Sequence, residues 1–154
     1  FEDGDNVIAR QNMLLGSCLA GQAFANAPVA AVHALAYPLG GHFYIPHGLS
    51  NALVLKPVLK IHSEVVYQEY AELLDCISVA RIGESERHKA ELFVAELDSL
   101  IDQVGIPRRL SELNIGEQDL PILAKDAMLQ QRLLVNNPVE ISETDALEIY
   151  QSVF

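Results

Sequence analysis

An all-α domain is the fold class this sequence predicts, and three observations predict it. No segment alternates apolar and polar residues long enough to make a half-buried strand. Two stretches repeat apolar residues at helical spacing. Glycines and prolines interrupt the chain at intervals that helices fill, at Pro28, Pro38 to Gly41, Gly83, Gly105 to Pro107, Gly116 and Asn136 to Pro138. The 154 residues have the length of one domain with its own apolar core, so residues 1–154 read as a single unit.

The chain opens FEDGD, with neither a basic n-region nor an apolar h-region, so no secretory signal is expected and the sequence looks cut from a longer one. From Gln11 to Leu55 there is no Asp, Glu, Lys or Arg. Ser17, Gln22, Asn26, Pro28 and His33 break this segment too often for an apolar helix in hydrocarbon, which argues against a membrane span. Helices with no charged face are instead expected at the centre of a bundle. The charged remainder supplies the cladding. In SEVVYQEYAELLDCISVA the apolar face is Val66, Tyr70, Leu73, Leu74 and Ile77; in ESERHKAELFVAELDSLIDQVG it is Leu92, Leu97, Leu100 and Ile101. The last helix, about Ser142 to Gln151, begins SETD, where Ser142 accepts from a first-turn N–H and Asp145 meets the positive end of the dipole.

A formal net charge of −11, from 21 acidic and 10 basic residues, repels a phosphate backbone and excludes nucleic acid as a partner. Cys18 and Cys76 have no CxxC spacing and read as reduced, packed thiols of a cytoplasmic protein.

Five histidines stand at 33, 42, 47, 62 and 88. His62 and His88, among charged residues near helix ends, read as surface groups. His33 and His47 differ because HALAYPLGGHFYIPH carries them at its two ends. In one unbroken helix, fourteen steps of about 1.5 Å would part them by roughly 21 Å, too far for a shared metal. Pro38 disfavours a continuing helix, Gly40 and Gly41 can take positive φ, and Pro46 can open a new helix, so the chain is expected to fold back there. Convergence would suit a divalent cation, since neutral imidazole binds Fe(II) or Zn(II). Two histidines alone leave the ligand set incomplete, and the alternative of hydrogen-bonded core histidines stays open.

The run AGQAFANAPVAAVHALAYPLGGHFYIPHGLSNALVL resembles the metal-binding segment of the iron-containing (group III) alcohol dehydrogenase family, with two histidines fourteen positions apart and the second inside a PHG triplet. GIPRRLSEL and QRLLVNNPVEISETDALEIYQ are similar to that family's C-terminal end. The resemblance implies a dehydroquinate-synthase-like fold in two parts, an N-terminal α/β domain binding NAD or NADP and an all-helical, metal-carrying C-terminal domain. The present sequence resembles the helical domain alone, and neither Gly40-Gly41 nor GDN has the context of a pyrophosphate loop.

Carried over residue by residue, the resemblance makes His33 and His47 metal ligands for Fe(II) or Zn(II). It makes Phe24 an apolar wall beside nicotinamide and substrate. The family's other two ligands, an aspartate and a histidine four apart, have no DxxxH counterpart upstream of His33. Tyr37 departs from the pattern: many members place there a histidine that shuttles a proton, and tyrosine, with a reference pKa of about 10, is a poorer shuttle near neutral pH. Branches resembling hydroxyacid-oxoacid transhydrogenase also carry tyrosine there, so hydroxy acids join alcohols and aldehydes as candidate substrates. His42, on the expected fold-back, is a further candidate for the same pocket.

The implied reaction is hydride transfer between an alcohol, or hydroxy acid, and a nicotinamide cofactor, in a homo-oligomeric enzyme without nucleic-acid or membrane partners. The 154 residues alone are expected to be inactive. Two alternatives remain: a metal-independent, maleylacetate-reductase-like oxidoreductase, and a non-catalytic helical interaction module.

Overall fold

Asn6 starts the first helix by accepting from the backbone N–H of Ala9 over 3.0 Å, which satisfies one of the donors a helix start leaves open. That helix, α1 (Val7–Asn26), ends just before Pro28. A bend of 104° separates it from α2 (Ala31–Phe43). The chain continues through α3 (His47–Ser63), α4 (Tyr67–Ile77), α5 (Glu86–Gln103), short 3-10 turns at Leu110–Leu113 and Glu117–Asp119, α6 (Leu120–Ala127), α7 (Gln131–Leu134) and α8 (Glu143–Ser152). The computed structural model describes residues 2–78 and 83–154, and no strand occurs among them. The FEDGD opening therefore enters at Glu2, and Val79 and Ala80, the end of the SEVVYQEYAELLDCISVA stretch, lie outside the described residues.

The main core forms where α2 is packed by α3, α6, α7 and α8. Leu35 and Leu39 of α2, Val54 and Val58 of α3, Leu120 and Leu123 of α6, and Tyr150 of α8 are all shut off from solvent. Long-range bonds hold α2 at its start and in its middle. Asn137 Oδ1 accepts from the Ala31 N–H (2.9 Å), Asn136 Nδ2 donates to the Val29 carbonyl (3.0 Å), and the Tyr150 hydroxyl donates to the Leu35 carbonyl (2.6 Å). A second, smaller cluster joins α4 to α5 through Tyr70, Leu74, Ala90, Phe93 and Val94, with the Tyr70 and Phe93 rings 5.2 Å apart.

Five expectations need correction. Pro38 does not interrupt the chain: it lies buried inside α2, and Gly40 and Gly41 are helical. Proline costs the helix one hydrogen bond, but packing on several sides of α2 offsets it. The charge-free segment is not buried throughout, since α1 buries no residue and exposes Met13, Leu14, Leu19 and Phe24. Absence of charge along a segment thus does not by itself bury it, since burial depends on a neighbouring element packing against it.

The outer helices bury most of the stripe expected from apolar spacing, with Val66, Tyr70, Leu74, Leu92 and Leu97 in or against the α4–α5 cluster, but they do not bury all of it. Leu73, Ile77 and Leu100 are about half exposed, while Ala90, Phe93 and Val94 of α5 meet Tyr70 and Leu74 of α4 in the buried seam. Small Ala90 takes part in that seam, which a count of large apolar residues overlooks. Cys18 and Cys76 are free and exposed rather than packed. His62, in the last turn of α3, is buried rather than on the surface, although Lys60 and Glu64 beside it in the sequence are exposed. His88 is exposed and ion-paired with Glu84 and Glu91.

The α8 start follows the expectation closely. Ser142 Oγ accepts from Asp145 N (3.2 Å), and Asp145 returns a carboxylate to Ser142 N (2.8 Å) and Oγ (2.6 Å). No single helix among the described residues is long and apolar enough to cross a membrane; α1 and α2 have the composition together but are bent apart.

Candidate metal centre

Tyr44 turns the chain back, in the left-handed region at φ 55°, ψ 26°. Its N–H reaches the Gly40 carbonyl (3.1 Å) and the Ile45 N–H reaches that of Leu39 (3.5 Å), closing the end of α2. The turn therefore falls on a tyrosine rather than on either neighbouring glycine, at a backbone cost that these bonds and the buried Ile45 offset. Pro46 follows in extended conformation and stands at the cap of α3, where its carbonyl accepts from Ser50 N (2.9 Å). Buried Ser50 adds side-chain contacts to the carbonyls of Ile45 (3.4 Å) and Pro46 (3.3 Å), fixing the corner.

This corner sets the first turn of α2 beside the first turn of α3. The imidazoles of His33 and His47 stand with centroids 5.1 Å apart and planes tilted by 57°. Tyr37, one turn beyond His33, puts its ring 6.1 Å from that of His47. Asn51, one turn beyond His47, directs its amide nitrogen at Nε2 of both histidines, at 3.1 Å from His47 and 3.5 Å from His33. An amide nitrogen only donates, so in this arrangement both Nε2 atoms accept and their lone pairs face a common point. Burial, reinforced by the neighbouring His47, holds the His33 pKa below that of an ordinary imidazole and favours the neutral ring that a metal requires.

The other sequence candidates fall elsewhere. Phe24 lies on exposed α1, 57% accessible, in no ring contact among the described residues. His42 turns to Asp126, with Nε2 2.5 Å from the carboxylate, and so ties the end of α2 to α6. Asn51 was not picked out from the sequence, although its i+4 spacing from His47 is the signal that would have found it. A cavity of about 380 Å³ opens beside the C-terminal half of α3, lined by Lys56, Pro57, Lys60 and Arg108. Asp98 already pairs with Lys56 and Arg108 there, so that cluster reads as an ion-paired link between α3, α5 and the following loop.

Residues 1–154 match the model of the Fe-containing alcohol dehydrogenase family, C-terminal, and the chain belongs to that family. Long-chain-alcohol dehydrogenase 1 of Geobacillus thermodenitrificans (strain NG80-2) is 41% identical over 152 residues, which are 99% of this chain and 38% of that protein. The 1,3-propanediol dehydrogenase of Citrobacter freundii is 34% identical over 98% of this chain and 39% of its own length. Among solved structures, 1,3-propanediol oxidoreductase superposes with a TM-score of 0.92 at 33% identity, and an alcohol dehydrogenase from Oenococcus oeni with 0.91 at 32%. Each match covers at least 98% of this chain and 39% of the other, so the chain spans about two-fifths of the length of its relatives.

The family name implies iron, and the donors in this chain suit a divalent cation as part of a ligand set. Two neutral imidazoles present Nε2 lone pairs to one point, the nitrogen chemistry that Fe(II) and Zn(II) share. Among the described residues no group of three or more His, Cys, Asp and Glu side chains gathers to hold a metal. The two histidines therefore fit as contributors and not as a closed site.

Proposed function

We propose that this chain is the helical part of an NAD(P)-dependent, divalent-metal-dependent alcohol dehydrogenase, with His33 and His47 as metal ligands. The observation that carries the reading is the 5.1 Å approach of two imidazoles that an unbroken helix would hold roughly 21 Å apart. Membership of the Fe-containing family supports it, as do relatives named as alcohol and propanediol dehydrogenases.

When bound, Fe(II) or Zn(II) would supply a Lewis acid for the substrate oxygen. The chain's own residues orient. His33 and His47 offer Nε2 from two helices whose relative position is fixed by the buried corner at Ile45, Pro46 and Ser50, so the donors are preorganised on rigid elements. Tyr37, 36% exposed beside His47, is placed to hold a hydrogen bond to a substrate hydroxyl or to pass a proton at its phenolic oxygen. Phe24 is the proposed apolar contact for nicotinamide and substrate, a role that requires α1 to be covered by further protein. The substrate class is a small alcohol or aldehyde, with hydroxy acids included on account of Tyr37; NAD or NADP is held mainly by residues outside this sequence.

Metal content of the full-length protein tests the proposal. Replacing His33 and His47 together by alanine is expected to remove bound iron or zinc and to abolish alcohol-dependent NAD(P) reduction. Retention of both metal and turnover would overturn it. A full-length protein that turns over without metal would point to the maleylacetate-reductase-like alternative. A second reading, as a helical interaction module, is favoured by one observation: twenty residues of α1 with no buried side chain and a row of exposed apolar groups.

A further inference from the structure

The two imidazoles meet at a third side chain. Asn51 Nδ2 lies within hydrogen-bonding distance of Nε2 of both His33 and His47. Among the described residues no other side chain or backbone group hydrogen-bonds either ring, so neither ring has a carboxylate or carbonyl on its Nδ1 to select the tautomer. Metal-binding histidines ordinarily have such a partner. Asn51 Oδ1, in contrast, is buried and has no hydrogen-bond partner among the described residues. The amide is thus directed at the two histidines while its own oxygen is left unsatisfied.

We propose that Asn51 is a positioning residue that sets the tautomer of both imidazoles: its amide donates to Nε2 of each, keeping the proton on Nδ1 and both lone pairs aimed at one spot. The amide nitrogen occupies that spot until a cation takes its place, after which the side chain rotates away. Asn51 reaches both rings because it stands one turn after His47 on α3 and faces the start of α2 across the corner. No proton need be shed from Nε2 on metal uptake, and the rings need not turn over. The inference about cation uptake rests on the ligand reading above; the inference about tautomers does not.

The experiment uses the protein carrying this chain, metal-free and labelled with 15N in its histidines, with Co(II) as the probe metal. Nitrogen shifts read the tautomer of each ring, His33→Gln and His47→Gln assign the signals, and the cobalt absorption bands read affinity. Wild type is expected to show both rings protonated at Nδ1. Asn51→Leu, of similar size but without donors, is expected to give mixed tautomers and to bind Co(II) about tenfold more weakly or worse, the size of effect usual for groups that orient ligands. Asn51→Gln, which keeps an amide donor, is expected to restore part of both. Circular dichroism checks the fold, and if Asn51→Leu fails to fold, Asn51→Thr, with one donor of shorter reach, is read in the same way.

A protonated Nε2 on either ring of the metal-free wild type overturns the proposal. So does an Asn51→Leu variant whose tautomers match wild type, whether or not its cobalt affinity falls. If wild type binds no cobalt, the ligand assignment fails instead, and the tautomer comparison still decides the role of Asn51.

Discussion

Tyr150 and Leu35 are joined by a hydrogen bond of 2.6 Å between the phenolic hydroxyl on α8 and a backbone carbonyl in the middle of α2. It crosses the main core and fixes the helix that carries His33 and Tyr37. Tyr150→Phe removes the donor and is expected to cost about 1–2 kcal/mol, while Tyr150→Ala adds a cavity and should cost about 3–5 kcal/mol; denaturant titration measures both. Burial, with the charge of Asp126 nearby, pushes the Tyr150 pKa above the ordinary phenol range. Above about pH 10 the unfolded chain releases this proton and the folded one keeps it, so stability is full below that pH and declines as pH rises. Tyr150→Phe should flatten the alkaline decline.

His62 is buried at the end of α3 with no partner for Nε2 among the described residues, and burial holds its pKa below 6.5. A lowered imidazole pKa means that the unfolded state takes up a proton first. Its contribution to stability is therefore full above about 6.5 and is lost as pH falls toward the folded-state pKa. His62→Phe, which cannot titrate, is expected to give a shallower loss of stability between neutral and mildly acidic pH. An unchanged acid limb would show that His62 is not the group responsible.

The Ser142–Asp145 box starts α8 and so supports the placement of Tyr150. Ser142→Ala is expected to cost about 1 kcal/mol, within the usual range for a lost N-cap. Hydrogen bonds from Ser142 hold the Asp145 carboxyl below its ordinary pKa. That contribution is present above the unfolded value of about 3.9 and disappears as pH falls below it. In Ser142→Ala the acid transition should consequently lie at higher pH, seen by circular dichroism.

Exposed α1 predicts how the 154 residues behave alone. Met13, Leu14, Leu15 and Leu19 are each more than half accessible, so light scattering should give a mass that rises with protein concentration. Leu14→Lys with Leu19→Lys is expected to suppress that rise while leaving the cores of α2 to α8 intact. A wild-type chain that stays monomeric throughout would remove the interaction-module reading.

The helical class, the break near Pro28, the cap at Ser142 and the pairing of His33 with His47 were legible in the amino-acid order. Each depends on local chemistry or on a spacing that only a reversal of the chain can reconcile. Other features were not legible, because they are decided by which neighbour a side chain meets. The identity of the turning residue is one: Gly40 and Gly41 were the conformationally cheaper choice, yet burial of Pro38 and Leu39 carried the helix past them and placed the reversal at Tyr44. The full extent of the seam between α4 and α5 is another, since small Ala90 takes part in it while Leu73 and Leu100 lie outside.

The sequence by itself determined a helical domain with a fold-back able to bring two imidazoles together, since helical period, caps and spacing follow from neighbours along the chain. Tertiary structure alone decided that Asn51 stands between those imidazoles, that His42 pairs with Asp126 instead, and that α1 is uncovered. Those outcomes depend on the three-dimensional meeting of helices, which local preferences restrict but do not choose.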